Sequence, residues 1–178
     1  MNPFEIAALP HLRGHVLDYG CGLGNLALAA AERGCSVVAI DASAAAIGHL
    51  RGEAARRGLS VRTIRDELRG YRLEESFDAI ACIGLLMFFD CPIAFAQLDM
   101  LKAHVRPGGV AIVNVLVEGT TFLDMFDASG HCLFAAGELD RRFEGWDVLS
   151  SERSEFPARD GLVKSFATLI ARKPTAPG

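Results

Sequence analysis

The sequence predicts an α/β protein: a doubly wound, largely parallel sheet with helices on both faces. Three observations predict it. Apolar, β-rich runs alternate with longer helical patterns through the first two thirds of the chain, as strands and crossover helices do. The first such run ends in alternating glycines that open directly into a helical pattern. The last third carries two further β-like runs in succession, suited to an antiparallel hairpin at the sheet edge.

The elements follow in order. Five strands are expected at 15–19, 36–40, 61–65, 77–83 and 110–117, all buried on both faces, with helices at 25–33, 43–57 and 92–105. Ser43 is placed as an N-cap, Pro92 in a first helical turn, and Gly34 and Gly58 as C-cap residues. Pro107-Gly108-Gly109 reads as the turn that launches the fifth strand, because proline cannot extend a helix and glycine accepts positive φ. A Phe-rich loop from Gly119, a short helix at 138–143 and the hairpin runs 146–153 and 162–171 complete the chain. Residues 1–14 are a short arm before the first strand, and 173–178 are expected to fray.

Length and composition bound the function. The 178 residues are expected to form one domain, burying roughly 70% of the surface of the unfolded chain. With 51% apolar and 22% charged residues the balance favours a packed globule. The 22 acids against 18 Lys and Arg leave no basic stripe for a phosphate backbone, which argues against nucleic acid as a partner. The longest apolar stretch is 79–89, eleven residues between Asp78 and Asp90, too short for a bilayer. The opening Met1-Asn2-Pro3-Phe4-Glu5 lacks a secretory pattern, so a cytoplasmic, reducing setting is expected. Cys21, Cys35, Cys82, Cys91 and Cys132 show no CxxC pair and read as free, mostly buried thiols, with no metal site.

The informative run is Asp18-Tyr19-Gly20-Cys21-Gly22-Leu23-Gly24-Asn25. A Cβ at the glycines would block the tight turn and the approach of a ligand to the main chain. The following helix start suits a carboxylate. The spacing is GxGxG with an acid two residues before the first glycine, whereas dinucleotide sites carry GxGxxG. Asp18 would repel a pyrophosphate, which opposes a nicotinamide enzyme, but it suits a cationic ligand such as S-adenosylmethionine, with its ammonium and sulfonium. Asp41, next to Ala42, ends the second strand 17 residues after Gly24, placed for vicinal ribose hydroxyls. Asp66, in Asp66-Glu67-Leu68, ends the third strand, placed for an adenine amino group, and the fourth strand ends in Cys82-Ile83. Acids at successive strand ends converge on the edge where open α/β sheets bind ligands.

This set of a strand, an acid, a GxGxG loop, a ribose acid, an adenine acid and a Pro-Gly-Gly turn resembles the class I methyltransferases. The resemblance implies S-adenosylmethionine as cofactor and a Rossmann-like seven-stranded sheet of order 3-2-1-4-5-7-6 with strand 7 antiparallel. Within that class the chain looks most like the tellurite-resistance methyltransferases of the TehB type. The matching pieces are Leu86-Met87-Phe88, Phe134 with Gly137-Glu138-Leu139, Gly145-Trp146, and Phe166-Ala167-Thr168 running into Ala171-Arg172-Lys173. Those relatives tend to carry His-Arg in the terminal hairpin and an arginine before Phe-Ala-Thr, groups suited to an oxyanion. Here the stretches read Phe156-Pro157-Ala158-Arg159-Asp160 and Ser165-Phe166. Many relatives also place a helical lid before the first strand, and the short arm leaves the pocket either more open or closed by a partner chain.

The expected reaction is methyl transfer to a small-molecule acceptor by a monomer or homodimer. A soft nucleophile such as a thiolate or a tellurium or selenium oxyanion needs no general base. His131 is the candidate base for an acceptor that does need one, and Met87, Phe88, Phe122, Phe126 and Phe134 are candidate lining of an apolar acceptor pocket. The rival reading is a non-catalytic S-adenosylmethionine-binding module that works with a protein partner.

Overall fold

The computed structural model describes residues 1–126 and 130–175. Seven strands form one sheet in the order β3-β2-β1-β4-β5-β7-β6. They are β1 (His15–Tyr19), β2 (Ser36–Asp41), β3 (Val61–Arg65), β4 (Phe77–Ile83), β5 (Val105–Leu116), β6 (Asp147–Pro157) and β7 (Val163–Arg172). β1 to β5 pair in parallel, while β7 runs antiparallel to β5 and to β6. The helices are α1 (Pro3–Ala8), α2 (Asn25–Glu32), α3 (Ala44–Arg57), α4 (Cys91–His104) and α5 (Glu138–Arg142). The seven-stranded order and its antiparallel seventh strand are those the resemblance implies.

β1 lies inside the sheet between β2 and β4, and its two faces serve different layers. Side chains alternate along a strand, so Leu17 and Tyr19 enter the core that holds Leu98 and Leu101 of α4. Val16 enters the core that holds Leu26 of α2 and Ile47 and Leu50 of α3. Asp18 therefore shares the α2 and α3 side of the sheet. The expected caps hold: the Ser43 hydroxyl accepts from the Ala46 amide, and Gly58 closes α3 at φ 64°. Asp90 caps α4 through the Ile93 amide, with Pro92 in the first turn.

Several expectations need correction. β3 is not buried on both faces, because it is the sheet's edge strand and its residues are half-buried or exposed. β5 begins at Val105, with Pro107-Gly108-Gly109 looped out as an irregularity between the Phe77–Val105 and Ala79–Val110 pairings. Lys173 is anchored rather than frayed, its ammonium donating to the carbonyls of Lys102, Ala103 and Val105; residues 176–178 lie outside the described residues. The N-terminal arm is a helix, started by a capping box in which the Asn2 side chain accepts from the Glu5 amide and the Glu5 carboxylate accepts from the Asn2 amide.

The cysteines are not all free. Cys91, at the first turn of α4, is joined to Cys132 by a disulfide, while Cys21, Cys35 and Cys82 are free and buried. The bond forms because the Cys132 amide donates to the Met87 carbonyl at 3.0 Å, which lays the loop against the start of α4. It closes 41 residues of chain. Loop entropy alone puts the cost of losing such a closure at about 4 kcal/mol. Reduction, or a C91S/C132S double substitution, is therefore expected to lower the urea midpoint by an amount corresponding to 2–4 kcal/mol, roughly. An unchanged midpoint would show that the cross-link does not constrain the unfolded chain.

Candidate active site

The glycine loop rises from the end of β1 and is held by main-chain bonds. Gly20 and Cys21 amides both donate to the Ile40 carbonyl, at 2.9 and 3.0 Å, and the Gly24 amide donates to Cys21. Gly20 and Gly24 both adopt φ 77°; a Cβ there would meet Leu85 at 2.8 Å and Leu50 at 2.4 Å. Gly22 differs, since a Cβ on it would stand in open space. The loop thus packs its first and third glycines inward and presents the second to the crevice.

Asp41 joins this loop to the end of β2. Its Oδ2 accepts from the Gly22 amide and its Oδ1 from the Ser43 amide, both at 2.8 Å. Each oxygen retains a second lone pair for a further donor. Asp18, directly beneath the loop, is in a different state. It is 6% exposed, and the Ala27 amide in the first turn of α2 donates to its carboxyl. Its Oδ2 has no partner. Burial, with the carboxylates of Glu5 and Asp41 nearby, pushes its pKa up to about 7. The neighbouring Cys21 thiol is likewise pushed well up by burial and by Asp18 and Asp41, so it is no nucleophile at neutral pH.

The third acid lies past β3. The Asp66 amide donates to the Asp41 carbonyl, and the exposed Asp66 and Glu67 carboxylates accept from the amides of Glu67 and Arg69. A buried network sets this segment's height. The Tyr19 hydroxyl donates to Gln97 Oε1 at 2.7 Å and lies 3.1 Å from the Leu68 carbonyl, and Gln97 donates to the Arg69 carbonyl. Leu68 itself is buried in the core. Asn25 and Ala42 are exposed at the rim of the crevice, and Ile83 is half-buried at the end of β4. Cys82 needs correction: it is fully buried toward α4, its thiol pushed up by burial, and it does not line the crevice. A cavity of about 420 Å³ opens on the α4 side of the sheet, floored by Val38, Ile40, Ile64 and Phe77, with Asp66 and Glu67 at one end and Glu74 and Glu75 also on its border.

The expected acceptor residues do not form one pocket. Phe88, Phe126 and His131 come together, with the His131 ring stacked on Phe126 at 4.6 Å and Phe88 edge-on to Phe126 at 5.5 Å. Met87 is buried, its carbonyl accepting from the Cys132 amide next to His131. Phe122 stands apart under the charged ends of Arg159 and Lys164. Phe134 is corrected to a core residue: it is fully buried, edge-on to Phe95, and its main chain bonds to Leu116 and Glu118. Sequence reasoning did not single out Glu5, whose charge helps raise the Asp18 pKa, or Asn114, whose buried Oδ1 has no partner. The Asn-Pro-x-Glu start of α1 is a readable capping signal. No sequence signal marked Asn114, a lone polar residue within an apolar strand.

Among the described residues no helix is long and apolar enough to cross a membrane, and no group of three or more His, Cys, Asp or Glu side chains is placed to hold a metal ion. Fold and crevice define a doubly wound α/β protein whose glycine loop and acidic residues gather at the carboxyl ends of β1, β2 and β3. A family model described as a methyltransferase domain matches residues 16–109, and the chain belongs to that family. It is 29% identical over 168 residues to Hemagglutinin 1 of Eikenella corrodens, covering 89% of this chain and 54% of that protein. It is 33% identical over 107 residues to a ubiquinone biosynthesis O-methyltransferase of Actinobacillus pleuropneumoniae, covering 57% of this chain and 45% of that one. The chain thus spans about half the length of the curated relatives it matches. The crystal structure of TehB from Haemophilus influenzae superposes with a TM-score of 0.85 at 21% identity, covering 97% of this chain and 62% of that one. The fold is that of the class I S-adenosylmethionine-dependent methyltransferases.

Asp18 carries a stability consequence with a definite sign. Its pKa rises from 3.8 to about 7 on folding, so the native state keeps a proton that the unfolded chain has lost. Stability then falls as pH climbs from about 4 to about 7, and the full penalty applies above that. Asp18→Asn keeps the shape and removes the charge. At pH 8 the ligand-free variant is expected to be more stable than the parent by up to about 4 kcal/mol, three pKa units at 1.36 each. The gain should vanish near pH 4. Thermal melts across pH check this, and a variant less stable than the parent at pH 8 would contradict it.

Proposed function

We propose that the chain binds S-adenosylmethionine across the Gly20–Gly24 loop and transfers its methyl group to a small-molecule acceptor. One observation carries the reading: Asp18 is a buried carboxylate with an unpartnered oxygen, beneath a loop whose middle glycine leaves open space. A cationic ligand there replaces a costly unpaired charge with a charge-assisted bond. Membership of the methyltransferase domain family supports the same ligand. The cofactor supplies an electrophilic methyl group on sulfur.

This chain's own residues bind and orient. Asp18 faces the cationic end, with Gly20, Cys21, Gly22, Gly24 and Asn25 as the main-chain cradle. Asp41, flanked by Ala42, accepts from the ribose hydroxyls with the lone pairs its amide bonds leave free. Asp66 and Glu67 face the adenine amino group, at the height set by Tyr19, and Ile83 closes the opposite side. Asp41→Ala is expected to weaken S-adenosylhomocysteine by about 2 kcal/mol or more while the fold persists, measured by calorimetry. Unchanged affinity would overturn the ribose assignment.

Phe88, Phe126 and His131 form the acceptor platform beside the end of β4, with Met87 behind them. The acceptor that fits best is a soft nucleophile such as a thiol or a tellurium or selenium oxyanion. Tyr19, Cys21 and Cys82 all hold their protons above neutral pH and supply no base. His131 is the remaining candidate, placed by its stack on Phe126. Labelled methyl transfer to thiols, selenite and tellurite tests the acceptor class. His131→Gln is expected to leave transfer to these within about threefold, since no proton has to be removed from the attacking atom. A hundredfold loss would instead assign His131 as a base.

A further inference from the structure

We infer that the Cys91–Cys132 disulfide is a redox clasp on the acceptor platform: when formed it holds Phe88 and His131 on one surface, and when reduced it lets that surface come apart while the cofactor crevice stays intact. The inference rests on the reading of Phe88, Phe126 and His131 as the acceptor side. It starts from where the two sulfurs sit. Cys91 opens α4, just after the short turn Leu86–Phe88 that follows β4. Cys132 directly follows His131 in the connection between β5 and α5. The bond therefore joins the two segments that supply the platform's rings.

Little else holds His131 against the β4–α4 segment. Among the described residues one main-chain hydrogen bond joins residues 86–91 to residues 130–134, from the Cys132 amide to the Met87 carbonyl at 3.0 Å. The other ties of the connection act at its two ends. The Thr121 and Phe122 amides donate to the Val163 carbonyl of β7, and Phe134 bonds to Leu116 and Glu118 and packs edge-on to Phe95. Between those ends the platform is a chain of ring contacts, Phe88 on Phe126 and Phe126 on His131. Phe88 is 41% exposed, so burial contributes little to holding it. A single hydrogen bond and half-wet rings do not outweigh the entropy of ordering the segment, and the covalent bond does. The cofactor side has no such dependence, because Asp41 bonds the Gly22 amide and β1 lies in register with β2. Cys132 is fully buried and Cys91 half-buried, so thiol exchange enters at Cys91. The co-reactant is a dithiol. Its thiolate attacks Cys91 Sγ and expels Cys132, which takes a proton; its second thiol then displaces Cys91, and the dithiol leaves as a disulfide, having passed two electrons and two protons to the protein.

Hydrogen exchange before and after treatment with a tertiary phosphine, which reduces the bond and becomes its oxide with oxygen from water, tests the clasp. Thiol titration of the denatured protein is expected to find the three free cysteines before treatment and all five after it. Reduction is expected to speed exchange at residues 130–132 about tenfold or more, while exchange at residues 20–24 and the affinity for S-adenosylhomocysteine stay within about twofold. C91S/C132S is expected to match the reduced parent and to ignore the phosphine. Methyl transfer to dimethyl selenide, a soft acceptor that exchanges with neither thiols nor disulfides, is expected to show a raised KM after reduction with kcat little changed. Equal exchange at residues 130–132 in the two redox states would overturn the inference, as would five titrating thiols before treatment. Equal loosening of residues 20–24 would also overturn it, marking a cross-link that only stabilises the whole fold. Failure of both redox forms to bind S-adenosylhomocysteine would remove the cofactor reading instead, and the exchange comparison would still decide the clasp.

Discussion

A carboxylate taken out of water and left without a cation is costly to any fold, and the crevice of this protein is arranged around one. Asp18 projects from the interior strand β1, receives the Ala27 amide on one carboxyl oxygen and has no partner on the other. Its surroundings add negative charge, from Asp41 at the end of β2 and Glu5 on α1, rather than relief. Such an arrangement persists because the rest of the sheet over-determines the position of β1: its neighbours on both sides are parallel strands in register, and both of its faces are packed. The penalty becomes specificity when the missing partner is a ligand. Free energy withheld in the empty state is returned on binding, and it discriminates against anionic cofactors at the same loop.

The other parts of the crevice follow from that centre. Gly20 and Gly24 turn inward at positive φ so that Gly22 between them faces the crevice. Asp41 ties the loop to β2 through the Gly22 amide, making cradle and carboxylate one rigid unit. Tyr19, whose side chain leaves the opposite face of the same strand, reaches Gln97 and Leu68 and so fixes the segment bearing Asp66 and Glu67. Both faces of five residues of β1 thus serve the crevice, one by charge and one by a buried hydroxyl. Pre-organised donors and acceptors of this kind spare the ligand the entropy of ordering them.

Most of the cofactor side was legible in the sequence because it is local. A strand, a glycine loop and a helix are contiguous, and an acid at a strand end is placed by the strand itself, so the positions of Asp18, Asp41 and Asp66 in the fold could be read from spacing alone. Cys82 was misread because alternation along β4 turns it toward α4 rather than the crevice. The acceptor side is built from segments far apart in the chain, and spacing says nothing about how they meet. Phe134 reads like a pocket aromatic until its main chain is seen bonded to Leu116 and Glu118, which carries it into the core. The Cys91–Cys132 bond has the same origin, since 41 residues separate the two sulfurs.

If the buried carboxylate awaits a cation, filling the crevice must drive its proton off. S-adenosylhomocysteine binding measured by calorimetry at pH 6.5, in buffers of differing ionisation enthalpy, reads that proton directly. With the Asp18 pKa near 7 in the free protein, the account predicts release of about half a proton or more per cofactor bound, abolished in Asp18→Asn. Binding with no proton released, or with the same release after that substitution, would contradict it.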